Sequence, residues 1–153
     1  MTPEAITPQI RQLVDAAREA AKNAYAPYST YAVGAAVRLS DGQIISGCNF
    51  ENASYGMTLC AETVALATVN SAGRLRDVRE IAIVGGLIRD GVMSGVDPVH
   101  PCGRCRQIIN EAAQLSRHDV MVHCAAAQGE ALNSVPISAL LPHAFGPADI
   151  GVE

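Results

Sequence analysis

A chain of 153 residues is long enough to bury roughly two thirds of its unfolded surface, so a single domain spanning residues 1–153 is expected without cross-links. The formal charge is −4 and Lys and Arg nowhere form a run, which disfavours a nucleic acid polymer as partner, because phosphate contacts supply most of that affinity. Hydrophobic content is 49%, yet the longest apolar run, 81–88, is broken by Gly85 and Gly86 and falls short of the ~18 residues a membrane span needs.

No membrane association is expected. The first residues, Met1-Thr2-Pro3-Glu4, lack the basic start and apolar stretch of a secretory signal, which points to the cytoplasm. Ile6, Ile10, Leu13, Val14, Ala17 and Ala21 recur at three- and four-residue intervals and predict an amphipathic helix over 7–24 that packs on a sheet. Segments 33–39 and 43–50 flank the turn signal Ser40-Asp41-Gly42, which predicts an antiparallel hairpin. A helix over 60–72 ends near Gly73, and 81–84 reads as a buried strand. Segment 85–100 holds four glycines and a proline and reads as a loop that could wall a site. A helix over 103–115 and a strand over 120–124 follow. The expected class is α/β, a three-layer α-β-α arrangement of a mixed, five-stranded sheet with helices on both faces.

Five cysteines are an odd number without the dense spacing of a disulfide framework, so metal or catalytic roles are preferred. Cys102-Gly103-Arg104-Cys105 alone is compatible with a redox dithiol or half of a zinc ribbon. A ribbon needs a second such pair, and here only Cys60 is offered, with 41 residues between it and Cys102. Three thiolates from Cys60, Cys102 and Cys105 match a catalytic Zn²⁺ that keeps its fourth position open. Both motifs fall at expected helix N-termini, where the helix dipole favours thiolate. Glu62, two residues after Cys60, is placed to carry protons rather than bind metal. Such a set suits hydrolytic deamination: activated water attacks the carbon bearing an exocyclic amine while a carboxylate shuttles protons to the ring nitrogen and the departing ammonia. Cys48 and Cys124 are left as small buried hydrophobes. From other classes, a thiol–disulfide exchanger on Cys102 and Cys105 and an inactive zinc-stabilised binding module stay open.

Cys60-Ala61-Glu62, the run from Pro101 to Gln107 and the run from Gly47 to Gly56 resemble the small, homotetrameric, three-cysteine cytidine deaminases. The similarity extends to Ala24-Tyr25-Ala26-Pro27-Tyr28-Ser29, to Val33-Gly34-Ala35-Ala36 and to the stretch from Leu140 to Pro147. The resemblance implies conversion of cytidine and deoxycytidine to the uridine forms, with zinc on Cys60, Cys102 and Cys105 and Glu62 as proton shuttle. It implies that Asn49 and Glu51 bind the ribose 3′-hydroxyl and that the Ala61 N–H donates to the base carbonyl. Residues i and i+2 at a strand end project from one face, which agrees with the paired sugar contact. Tyr31 stands where the resemblance implies a stacking Phe. Tyr55 and Phe145 match residues contributed by neighbouring subunits, so the partners implied are a free pyrimidine nucleoside and copies of the chain in a tetramer with shared sites.

Two departures stand out. Thr63 occupies the place of an arginine that follows the catalytic Glu in many three-cysteine members. Three thiolates on Zn²⁺ leave a net negative charge that weakens its acidification of water, so another cation is needed, and Arg104 is the expected substitute. Segment 85–100 is longer than in the common small members, which leaves deamination of N4-substituted or blasticidin-like cytosine nucleosides as the alternative. His100 is a weaker candidate ligand or supporting donor.

Overall fold

The computed structural model describes residues 6–153. Helix α1 (Pro8–Ala21) starts at Thr7, whose hydroxyl accepts from the Ile10 N–H at 3.2 Å, and Pro8 fits the first turn because its missing N–H would have no partner there. It stops before the expected residue 24. The Lys22 and Asn23 N–H groups close onto Glu19 and Ala20, and Tyr25 then pairs with Phe50, which pulls the chain out of the helix.

Strands β1 (Tyr31–Leu39) and β2 (Ile44–Cys48) form the expected hairpin, followed by α2 (Ala61–Ser71), β3 (Val78–Arg89) and β4 (Val92–Ser94). The chain continues through α3 (Gly103–Ser116), β5 (Met121–Ala126), β6 (Leu132–Pro136) and the single turn α4 (Ile137–Leu140). One mixed sheet of six strands, rather than the expected five, runs β2-β1-β3-β5-β6, with β4 paired to the end of β3. Only β3 and β5 are parallel among the described strand pairs, and α3 makes the crossover between them.

Side-chain alternation sorts the core into two layers. Ala35, Val37, Leu39, Ile81, Ile83, Val122 and Cys124 face α2 and α3, while Ala36, Ala82, Val84 and Ala125 face α1. The sheet is therefore covered on both faces, as expected of a three-layer α/β protein. Cys124 is a fully buried core residue, whereas Cys48, at the end of β2, is only half-buried.

Segment 85–100 is not wholly a loop. Strand β3 runs straight through Gly85 and Gly86 and turns at Asp90-Gly91 into β4. A Cβ at Gly86 would run into the Ser94 carbonyl, so the glycine permits the hairpin's close return.

Candidate active site

Helices α2 and α3 aim their N-termini at one point. Cys60 and Cys102 are their N-cap residues, and neither thiol is spent on a cap hydrogen bond. Cys105, one turn into α3, is buried, and the sulfurs of Cys60, Cys102 and Cys105 all lie within 4.8 Å of one another. Arg106 fixes the preceding loop, donating to the Pro101 carbonyl at 2.8 Å and the Leu140 carbonyl at 3.0 Å.

The donor set fits zinc, since three sulfurs are soft ligands and the thiols are crowded. The interaction with Cys105 holds the Cys60 thiol down to about 6, against burial and the charge of Glu62, with Cys102 and Arg104 adding to the lowering. Cys105 is pushed up, first by Cys60 and then by burial and Glu62. One proton leaves the cluster readily, and the next is retained unless a cation offsets the charge. Glu62 is 3% exposed, and burial raises its carboxyl pKa despite an opposing interaction with Cys105.

Asn49 and Glu51 reach the same place by a different route. Phe50 exchanges backbone hydrogen bonds with Leu59, both 2.9 Å, which lays the end of β2 beside the start of α2. Phe50 points outward, so Asn49 and Glu51 project together on the other side and are buried. The Asn49 amide clamps β1, accepting from the Val33 N–H at 2.9 Å and donating to the Tyr31 carbonyl at 2.8 Å. Burial pushes the Glu51 carboxyl up, but hydrogen bonds from the Ser29 hydroxyl and the Ser29 and Tyr28 N–H groups prevail and lower it.

These groups share a cavity of about 350 Å³. Cys60, Ala61, Glu62 and Cys102 line it, and so do Ser29, Asn49 and Glu51. Tyr31, Ile83 and Val99 contribute its apolar wall, and burial pushes the Tyr31 phenol up. A larger cavity of about 610 Å³, on the α1 side by the β3–β4 turn, contains none of the thiols or carboxylates and is not the chemical centre.

Other expected residues lie apart. Tyr55 is 73% exposed, edge-on to Tyr28 at 5.6 Å, and borders a shallower recess that shares Ser29, Glu51 and Thr58 with the main cavity. Phe145 is 63% exposed and does not line the cavity; its carbonyl accepts from Gln107 and Asn110 of α3. Arg104 is exposed on the first turn of α3. His100 lines the cavity without joining the thiol cluster. Thr58 and Ile83 carried no recognisable signal as site residues, because their place depends on pairings between distant segments, whereas Ser29 lies in the 24–29 stretch and Val99 in the 85–100 segment expected to wall a site.

Residues 7–124 match the family model described as the cytidine and deoxycytidylate deaminase zinc-binding region. A cytidine deaminase of Halalkalibacterium halodurans is 43% identical over 140 residues, covering 92% of this chain and 96% of that protein. The crystal structure of cytidine deaminase from Burkholderia pseudomallei superposes with a TM-score of 0.75 at 39% identity, over 88% of this chain and 98% of that one. The cytidine deaminase structure from Mycobacterium tuberculosis gives 0.68 at 35% identity, over 89% and 96%.

Proposed function

Because the chain belongs to the cytidine and deoxycytidylate deaminase family, hydrolases of C–N bonds, we propose that it converts free cytidine and 2′-deoxycytidine to uridine and 2′-deoxyuridine with release of ammonia. The observation that carries this reading is a single cavity bordered by Cys60, Cys102, Glu62 and the Asn49–Glu51 pair, with Cys105 completing the sulfur cluster.

Cys60, Cys102 and Cys105 would hold Zn²⁺, which when bound supplies a Lewis acid that makes water nucleophilic near neutral pH. Glu62 moves the protons. As a carboxylate it takes a proton from the attacking water and gives it to the ring nitrogen next to the reacting carbon, then carries the next to the departing amine; burial, which favours the neutral form, suits it to hold each proton between the two transfers. The Ala61 N–H, at the first position of α2 and without a partner in the helical ladder, donates to the base carbonyl. Tyr31 stacks on the ring beside Ile83 and Val99.

Glu51, held ionised by its three donors, accepts from the 3′-hydroxyl. Asn49 has one amide N–H left after its bond to Tyr31 and donates it to the same hydroxyl. Neither contact reads the 2′-position, which supports turnover of both sugars. No Lys or Arg lines the cavity, and two carboxylates do, so a 5′-phosphate is disfavoured and the free nucleoside preferred. Arg104 offsets the thiolate charge from the rim of α3, and Tyr55 and Phe145, both exposed, complete neighbouring sites in a cytoplasmic homotetramer.

The test compares ammonia release from cytidine, deoxycytidine and their 5′-monophosphates. Turnover of the two nucleosides alone supports the reading, and preferential turnover of a monophosphate contradicts it.

A further inference from the structure

The cavity wall beside Cys102 is built by the residues that follow the β3–β4 hairpin, Val99 and His100. This stretch is fastened from outside the cavity. The Val99 N–H donates to the Ala125 carbonyl at 3.3 Å, and the Asn133 amide nitrogen lies 2.8 Å from His100 Nε2. Asn133 belongs to β6, paired with Cys124, and does not line the cavity. The contact with the Asn133 amide ties the imidazole ring to β6 and sets its orientation from there.

His100 precedes Pro101, which holds it extended, and the Pro101 carbonyl is itself bonded to Arg106 at 2.8 Å. The imidazole is therefore tied on one side to β6 and on the other to the backbone that carries Cys102. Asn49 and Glu51 fix the sugar, and the reacting carbon must approach the sulfur cluster. The exocyclic amine on that carbon then lies near the cluster, and His100, two residues before Cys102, lines the same cavity.

We propose that His100, positioned by Asn133, determines which substituents on the exocyclic amine are accepted. This rests on the nucleoside deaminase reading above. The ring admits an unsubstituted amine and crowds an alkylated one. A single extra methyl group met by a fixed wall changes discrimination by about tenfold or more, which sets the expected scale.

The experiment measures kcat/KM for cytidine and N4-methylcytidine in the zinc-loaded wild type, in His100→Ala and in Asn133→Ala, with zinc content determined for each. The wild type should prefer cytidine. His100→Ala should raise the N4-methylcytidine to cytidine ratio by about tenfold, and Asn133→Ala should shift it in the same direction by less, with one zinc per chain throughout. An unchanged ratio in His100→Ala, or a wild type that accepts both nucleosides equally, overturns the proposal while leaving the deaminase reading intact. Loss of zinc in His100→Ala overturns it too, because the residue would then be supporting the metal loop. A wild type that turns over neither nucleoside defeats the functional reading and the proposal together.

Discussion

Tyr31 and Val99 converge over Gly85: a methyl group placed on that glycine would stand 3.1 Å from the Tyr31 ring and 3.3 Å from Val99 Cγ1. The absent side chain lets an aromatic ring from β1 and an aliphatic one from the stretch after β4 meet above β3, forming the slot proposed for the base. Gly85→Ala should push both aside by a few tenths of an ångström. The expected result is a KM for cytidine raised several-fold, with a stability loss of about 1–3 kcal/mol typical of overpacking, read by steady-state kinetics and urea denaturation.

Asn49 has two duties that one substitution separates. Asn49→Ala leaves the Val33 N–H and the Tyr31 carbonyl without their partner, which should cost about 1–3 kcal/mol for each group that stays dry. It also removes a donor to the 3′-hydroxyl. In the wild type, 3′-deoxycytidine should be a much poorer substrate than cytidine; in Asn49→Ala the gap should narrow.

Zinc should change which thiols react. In the loaded protein Cys60, Cys102 and Cys105 should be masked from alkylation and Cys124 protected by burial, which leaves half-buried Cys48 as the slow site. Chelation should expose the three and lower the melting temperature. Mass spectrometry of alkylated peptides, with and without chelator, checks the pattern, and Arg104→Ala should weaken zinc retention if its charge offsets the thiolates.

Away from the site, a polar chain crosses the sheet on the α1 side. The buried His123 ring bonds Ser134 at 2.7 Å and Glu80 at 2.9 Å, and Glu80 also pairs with Arg38 at 2.9 Å. The bond to His123 holds the Glu80 carboxyl below its usual value despite burial, with Arg38 adding to it. A carboxylate with a depressed folded pKa contributes stability above the unfolded value, about 4.3, and loses it as pH falls through the folded value. Glu80→Gln should therefore be less stable than wild type at neutral pH, and the difference should fade in acid below the ordinary carboxylate range. Denaturation midpoints across pH test this.

The hairpin, the mixed α/β class and the helices on both faces were legible from the turn signal after β1 and the three- and four-residue periodicity of α1, but the strand order was not, and the sheet has six strands where five were expected. Strand β6 was missed: Leu132-Asn133-Ser134-Val135-Pro136 mixes polar residues with a terminal proline, a composition tolerated at a sheet edge but weak as a strand signal. Gly85-Gly86 looked like a strand ending, whereas their missing side chains serve the Tyr31–Val99 slot and the β4 return, both contacts with residues distant or later in the chain. The thiol cluster was legible from the Cys60 and Cys102-Cys105 spacing and is found assembled. The Asn133 hold on His100 was not, because nothing local links β6 to the stretch before Cys102.

The most direct measurement follows ammonia release and the ultraviolet change on adding cytidine or deoxycytidine to the zinc-loaded protein, beside a Glu62→Ala variant with its zinc content measured. The account predicts turnover of both nucleosides by the wild type and a loss of several orders of magnitude in a variant that still holds one zinc. Undiminished turnover in zinc-loaded Glu62→Ala, or none in the zinc-loaded wild type, would contradict it.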